Sequence, residues 1–201
     1  MHNLSSQGRE HSLLEVDVYT ATSLLEESLE WLREDYDEFI FHVGRDVVWT
    51  VQMHLVKKIK ELNLPLRVYN DYPMLPGSRR ARSADLVIVN QADEVEVAAE
   101  FKYEPSHQRT DIQRQKLPVV FWGTSPSEIG QGVAHDVQRI KEFVEVGKTK
   151  TAYAIFVDEG GYFRHREQLP GSRWIDWETR SAEGHKVSIL WARWPAGEIR
   201  N

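Results

Sequence analysis

Two carboxylates and an ammonium stand at positions 85, 100 and 102, inside segments that are otherwise oily. The first segment reads Ser-Ala-Asp85-Leu-Val-Ile-Val and the second Glu-Val-Ala-Ala-Glu100-Phe-Lys102-Tyr-Glu, with Asn90-Gln91-Ala92-Asp93-Glu94 between them. Apolar runs of strand length on either side of a turn-forming cluster predict an antiparallel hairpin. A turn centred near Ala92 and Asp93 sets Asp85 across from Glu100. The two-residue period of a strand then points Glu100 and Lys102 to the same face. Burying this trio among Leu86, Val87, Ile88, Val89, Val97, Ala98, Ala99 and Phe101 is costly unless the groups pair or hold a metal ion. Two chemistries are open at this level: a cross-strand ion network, or hard oxygen ligands for a divalent cation with a lysine beside them.

The flanking segments read as the elements that must hold this hairpin. Residues 23–39 repeat Leu24, Leu25, Leu29 and Leu32 at helical spacing among glutamates, with Trp31, predicting an amphipathic helix peripheral to the core. Residues 46–63 predict a second helix with Val48, Val51, Leu55, Ile59 and Leu62 on one stripe, ended by Asn63-Leu-Pro65. Residues 66–69 predict a short strand, and residues 73–83 a loop carrying Arg79, Arg80 and Arg82. After the hairpin, a long connection holds Arg109, Arg114 and Lys116. Ser125-Pro126-Ser127-Glu128 has the form of a helix start, predicting a helix to about residue 146 that Gly147 stops. Residues 151–157 and 187–194 predict two further strands.

Read in order, residues 46–157 give helix, three strands, helix, strand. That order, with Asp85 as an isolated aspartate and Glu100-Phe101-Lys102 as a (D/E)-x-K triplet, resembles the PD-(D/E)XK nuclease superfamily over somewhat more than half of the chain. The resemblance implies an α/β protein with a restriction-endonuclease-like αβββαβ core. Its mixed sheet would be flanked by helices, with an extra N-terminal helix and a C-terminal strand. Residues 1–43 would form an N-terminal extension and residues 44–201 a single nuclease domain. The implied activity is metal-dependent hydrolysis of DNA phosphodiesters. Asp85, Glu100 and the backbone carbonyl of Phe101 would hold Mg2+ or Mn2+, and Lys102 would complete the catalytic set. With two carboxylates beside it Lys102 stays protonated, which suits stabilising charge at phosphorus better than acting as a base.

Relatives often add a residue from the first core helix, where Asp46 and Gln52 are the candidates here; no glutamate precedes Glu61 on that helix. Some relatives carry Gln-x-x-x-Tyr on the second helix, matched in part by Gln131 and His135. Arg79, Arg80, Arg82, Arg114 and Lys116 are candidates to grip flanking phosphates. Members that keep the fold and lose activity give the alternative, a binding or assembly module.

The composition bounds these readings. A chain of 201 residues with 41% hydrophobic content can bury a real core. A net charge of −6 argues against a broad basic face for nucleic acid, though not against a local basic rim. With no cysteine, disulfides, thiolate zinc sites and cysteine catalysis drop out. The eight histidines show no zinc spacing, and neither Gly-x-Ser-x-Gly nor a Walker A loop is present. No stretch has the length of a membrane span or the form of a signal core, so the expectation is a soluble cytoplasmic protein. Trp174, Trp177, Trp191 and Trp194 exceed what a small core requires, from which a homodimer is expected.

Overall fold

The computed structural model describes residues 20–77, 81–109, 119–123, 131–178 and 186–195. Along the chain these form α1 (Ala21–Glu34), α2 (Gly44–Glu61), β1 (Arg67–Leu75), β2 (Arg82–Val89), β3 (Val95–Glu104), α3 (Val133–Glu145), β4 (Thr151–Glu159), β5 (Ser172–Trp177) and β6 (Val187–Trp194). The strands make one mixed open sheet in the order β1-β2-β3-β4-β6-β5. Neighbours are antiparallel except β3 and β4, which run parallel. The class is α/β, and among the described residues no helix is long and apolar enough to cross a membrane.

The β2–β3 hairpin forms where its turn residues require it. The Asn90 side-chain oxygen accepts the N–H groups of Ala92 and Glu94 at 2.9 and 3.0 Å. Asp93 takes the left-handed backbone (φ 63°) that Asp tolerates better than most residues. A one-residue irregularity lies beside the turn, between Ile88 and Val89, and beyond it the ladder runs through Ile88↔Val97, Val87↔Ala98 and Leu86↔Ala99. Continued by one residue, that register sets Asp85 opposite Glu100.

Alternation along β3 divides the molecule into two layers of side chains. Val97, Ala99, Phe101 and Tyr103 join the core shared with α1 and α2, whereas Ala98 joins the opposite core with Ile140 and Phe143 of α3. Glu100 and Lys102 therefore face α3. Expected as peripheral, α1 instead buries Leu24, Leu25, Leu29 and Leu32 at 2% exposure or less. Its leucine stripe is one wall of the main core because an open sheet must be covered on that face.

Other differences have equally local causes. β1 runs on to Leu75 through Pro73, where a loop was expected. It is an edge strand, where proline is tolerated because alternate backbone N–H positions face away from the sheet. β5 gave no legible signal: its polar and apolar residues do not alternate cleanly, and burial follows from pairing with β6. Trp177 and Trp191 are buried in this chain's own core, and Trp174 and Trp194 are half-buried against it. Of the four indoles on which the expected homodimer rests, two are thus enclosed by this chain and two keep part of their surface exposed.

Of the expected helix over residues 126–146, positions 126–130 lie outside the described residues, as does its cap at Ser125. Among the described residues, helical structure starts at Val133, after Gly132 with φ 87° and ψ −171°. Phe121 and Trp122 lend their carbonyls to the first free N–H groups of α3, at 3.0 Å to Val133 and 2.9 Å to Ala134. A Cβ at Gly132 would sit 2.3 Å from the Phe121 oxygen, in a backbone region that only glycine occupies without strain. Gly132→Ala is therefore expected to lower unfolding free energy by more than about 2 kcal/mol. Chemical denaturation measures this, and an unchanged midpoint would mean the cap is not held this way.

Candidate functional site

The ladder between β2 and β3 stops at Leu86 and Ala99, and there a side chain takes over from the backbone. Asp85 Oδ2 accepts the Phe101 N–H at 2.8 Å, which fixes the carboxylate against β3. The opposing residue of β1, Asp71, has φ 49° and pairs loosely with Arg45 of α2 at 3.4 Å. The parted strands leave two cavities that share Arg45, Asp71 and Asp85. One, about 220 Å³, extends to Trp49, Phe101 and Lys102. The other, about 410 Å³, extends to Arg82, Ser83 and Arg139.

Two residues of α3 complete the cluster, 34 and 39 positions beyond the residues they meet. Asp136 Oδ2 lies 2.6 Å from Lys102 Nζ, and Asp136 Oδ1 accepts from Arg139 at 3.0 Å. Arg139 also donates to Glu100 Oε2, while Glu100 Oε1 is buried without a hydrogen-bond partner. Three carboxylates thus face two cations, a net of −1 when all are ionised.

The electrostatics follow from burial and this count. Desolvation, reinforced by Asp85 and Asp136, pushes the Glu100 carboxyl well above its ordinary range, against the pull of Arg139 and Lys102. Desolvation likewise raises Asp136, although Lys102 and Arg139 oppose it. For Lys102 burial works to depress the ammonium, but Asp136, Asp85 and Glu100 outweigh it and its pKa is raised. The lysine is therefore a cation at neutral pH.

The other expected site residues divide between near and remote. His135 is near: burial first, then the charges of Arg139, Lys102 and Arg82, hold its imidazole below the usual range. Gln131 sits exposed at the approach to α3 with its carbonyl against Gly123. Asp46 accepts the N–H groups of His42 and Val43 at 2.8 and 3.0 Å, so its carboxylate is used at the start of α2. Gln52 accepts from Asn70 at 2.7 Å, joining α2 to β1. Arg82 forms a two-pronged pair with Glu142 of α3, both contacts at 2.8 Å. Arg109 donates to the Phe41 carbonyl and the Tyr103 hydroxyl, so it braces the fold. Arg79, Arg80, Arg114 and Lys116 lie outside the described residues.

Asp136 and Arg139 stand near Gln131 and His135 in the sequence but are not among the site residues it marks. The helical spacing of Ile129, Val133, Val137, Ile140 and Val144 predicts these as the inner face, whereas the buried face is Val133, Asp136, Ile140 and Phe143. An acid and a base three apart on a stripe ending in phenylalanine was the available signal.

A second buried acid lies where β3 and β4 end side by side, with Glu104 registered against Asp158. Glu104 accepts the N–H groups of Val119 and Val120, each at 2.8 Å, and its other oxygen meets His107 at 2.7 Å. Asp158 accepts from the Phe163 N–H at 2.6 Å. Burial raises its pKa from 3.8 to about 6, opposed by the backbone N–H groups of Phe163 and Tyr162 and aided by Glu104. Because the folded state holds this proton more tightly, Asp158 favours folding fully below about pH 4 and loses that contribution as pH rises through about 6. Asp158→Asn should flatten stability across that window by an amount on the order of 2–3 kcal/mol, read from urea midpoints at several pH values. A slope identical to that of the wild type would remove Asp158 as its source.

The donor set for an ion can be tested against these contacts. Among the described residues, no three His, Asp or Glu side chains are grouped so as to hold a metal ion. Asp85 and Glu100 instead offer two carboxylates, one with an unpartnered buried oxygen, beside the Phe101 backbone. That set fits a hard cation such as Mg2+, which keeps several waters and takes one or two carboxylates plus substrate phosphate. No family model matches the chain, and neither does any curated protein or solved structure.

Proposed function

We propose that this protein is a Mg2+- or Mn2+-dependent nuclease that hydrolyses DNA phosphodiesters at the Asp85, Glu100 and Lys102 cluster. The observation that carries the reading is the buried, unpartnered Oε1 of Glu100 next to Asp85, with a charged lysine alongside. A carboxylate short of positive charge in spite of an arginine is a site that gains by a cation. The order α2, β1, β2, β3, α3, β4, with β4 parallel to β3, supports the restriction-endonuclease-like αβββαβ core that the sequence resembles.

Asp85, Glu100 and the Phe101 carbonyl would hold the ion, which when bound would supply Lewis acidity toward water and phosphate. The chain's own groups do the rest. The Phe101 N–H fixes the Asp85 carboxylate, and Arg139 orients Glu100. Asp136 keeps Lys102 protonated and aimed. The ammonium then balances the negative charge that grows on the phosphoryl oxygens as the nucleophile attacks.

A second reading is a binding or assembly protein that keeps this fold without turnover. Two observations favour it: Glu100 and Lys102 already have partners on α3, and Glu100 is not in the lining of either cavity beside Asp85.

Purified protein incubated with linear, nicked and single-stranded DNA decides between them. The proposal expects cleavage with Mg2+ or Mn2+, none with chelator, and binding without turnover in Ca2+. Absence of cleavage on all three DNAs, together with no Mg2+ binding by calorimetry, would leave the second reading.

A further inference from the structure

Of the seven tryptophans, Trp49 is the one that packs outward. It is 54% exposed, whereas Trp122, Trp177 and Trp191 are buried and Trp31, Trp174 and Trp194 are half-buried. The core contribution of α2 is already made by Val47, Val48, Val51 and Leu55. The Trp49 indole, more than half in water, stands outside that set and lines the same cavity as Asp85, Phe101 and Lys102.

One helical turn before it, Arg45 lines that cavity too. Its pairing with Asp71 spans 3.4 Å between side chains that are 62% and 67% exposed, a contact worth at most about 1 kcal/mol. A phosphate could displace it at little cost. At about 220 Å³ the cavity is smaller than the roughly 300–1,000 Å³ of pockets that enclose drug-sized molecules, and suits a single base. The adjoining cavity of about 410 Å³ continues past Asp85 toward Arg82 and Arg139, giving the strand a way onward.

We infer that this trough takes an unpaired strand. A nucleobase stacks on the Trp49 indole, its phosphate meets Arg45 beside Asp85 and Lys102, and the substrate is single-stranded rather than duplex DNA. Stacking on a side chain needs a base whose face is free, which a duplex does not offer. It also supplies affinity that a chain of net charge −6 cannot draw from its overall field. The inference names the substrate class of the nuclease site and rests on that reading for the reaction, but not for the binding.

The test is fluorescence anisotropy with a dye-labelled single-stranded oligodeoxynucleotide and its duplex, in Ca2+, on the full chain. Wild type should bind the single strand more tightly. Trp49→Ala should weaken that binding by roughly 5- to 150-fold, the scale of one stacked base, and leave duplex binding unchanged. Trp49→Phe should retain most of the affinity, and melting temperatures of all three proteins should agree because the indole is exposed. Parallel cleavage assays in Mg2+ separate the two ideas. Tryptophan-dependent single-strand binding with neither cleavage nor Mg2+ binding upholds the strand-binding site and removes the nuclease reading. Cleavage with single-strand binding indifferent to Trp49 overturns the inference and leaves the nuclease. Preference for duplex, equal losses on both DNAs, or no binding to either also overturns it.

Discussion

Lys102→Ala should lower DNA cleavage by on the order of 10²-fold or more, the scale of removing one group that stabilises transition-state charge. The same substitution strips Asp136 of one of its two cations, leaving Arg139 at 3.0 Å, so stability should fall by about 1–3 kcal/mol. The two effects are separable. Adding Asp136→Asn to Lys102→Ala removes the under-compensated carboxylate and should recover stability without recovering cleavage. Asp85→Asn should behave differently again. An amide oxygen can still accept the Phe101 N–H, so the fold stays, while metal affinity and activity drop together with the lost charge. Kinetics alongside urea denaturation provides both readouts. Cleavage that returned with stability in the double variant would make Lys102 a structural residue.

Arg139→Ala should be the most destabilising single change in the cluster. Glu100 has 0% exposure, and Arg139 is the cation that reaches its Oε2. Breaking a buried pair from one side costs about 3–5 kcal/mol, because the remaining charge is left without compensation. Against a total stability of roughly 5–15 kcal/mol that is a large share. Glu100→Gln in the same background should restore most of the loss, since a neutral amide needs no counter-charge. The deficit of Arg139→Ala should also shrink in acid. Glu100 takes up its proton more readily folded than unfolded, so its cost is absent at low pH and grows as pH rises through the raised folded value. Urea midpoints for the two variants at acid and neutral pH measure this. A small loss that ignored both pH and Glu100→Gln would show that α3 is not held to the sheet by this pair.

Much of the site was legible before any coordinates because its geometry is local. Asn90 and Asp93 specify where the chain turns, and a strand's period of two then puts Glu100 and Lys102 on one face, with the register Leu86↔Ala99 leading to Asp85. Val48, Val51 and Leu55 on the stripe of α2 and the last strand, Val187–Trp194, were equally plain, since a run of buried side chains leaves its pattern in the residues themselves. Leu62, expected on the same stripe, lies past the helix end at 38% exposure. What surrounds the trio was decided only by tertiary structure. Asp136 and Arg139 reach Lys102 and Glu100 because α3 packs on the face that Ala98 shares with Ile140 and Phe143, a rotation that a stripe of valines left ambiguous. Whether α1 covers the core, whether Pro73 stands in an edge strand, and whether Trp49 faces a cavity while Trp191 faces the core depend on which neighbour each element meets. Turns and periods are written in adjacent residues. The partners that make a buried charge tolerable come from distant parts of the chain, and packing brings them together.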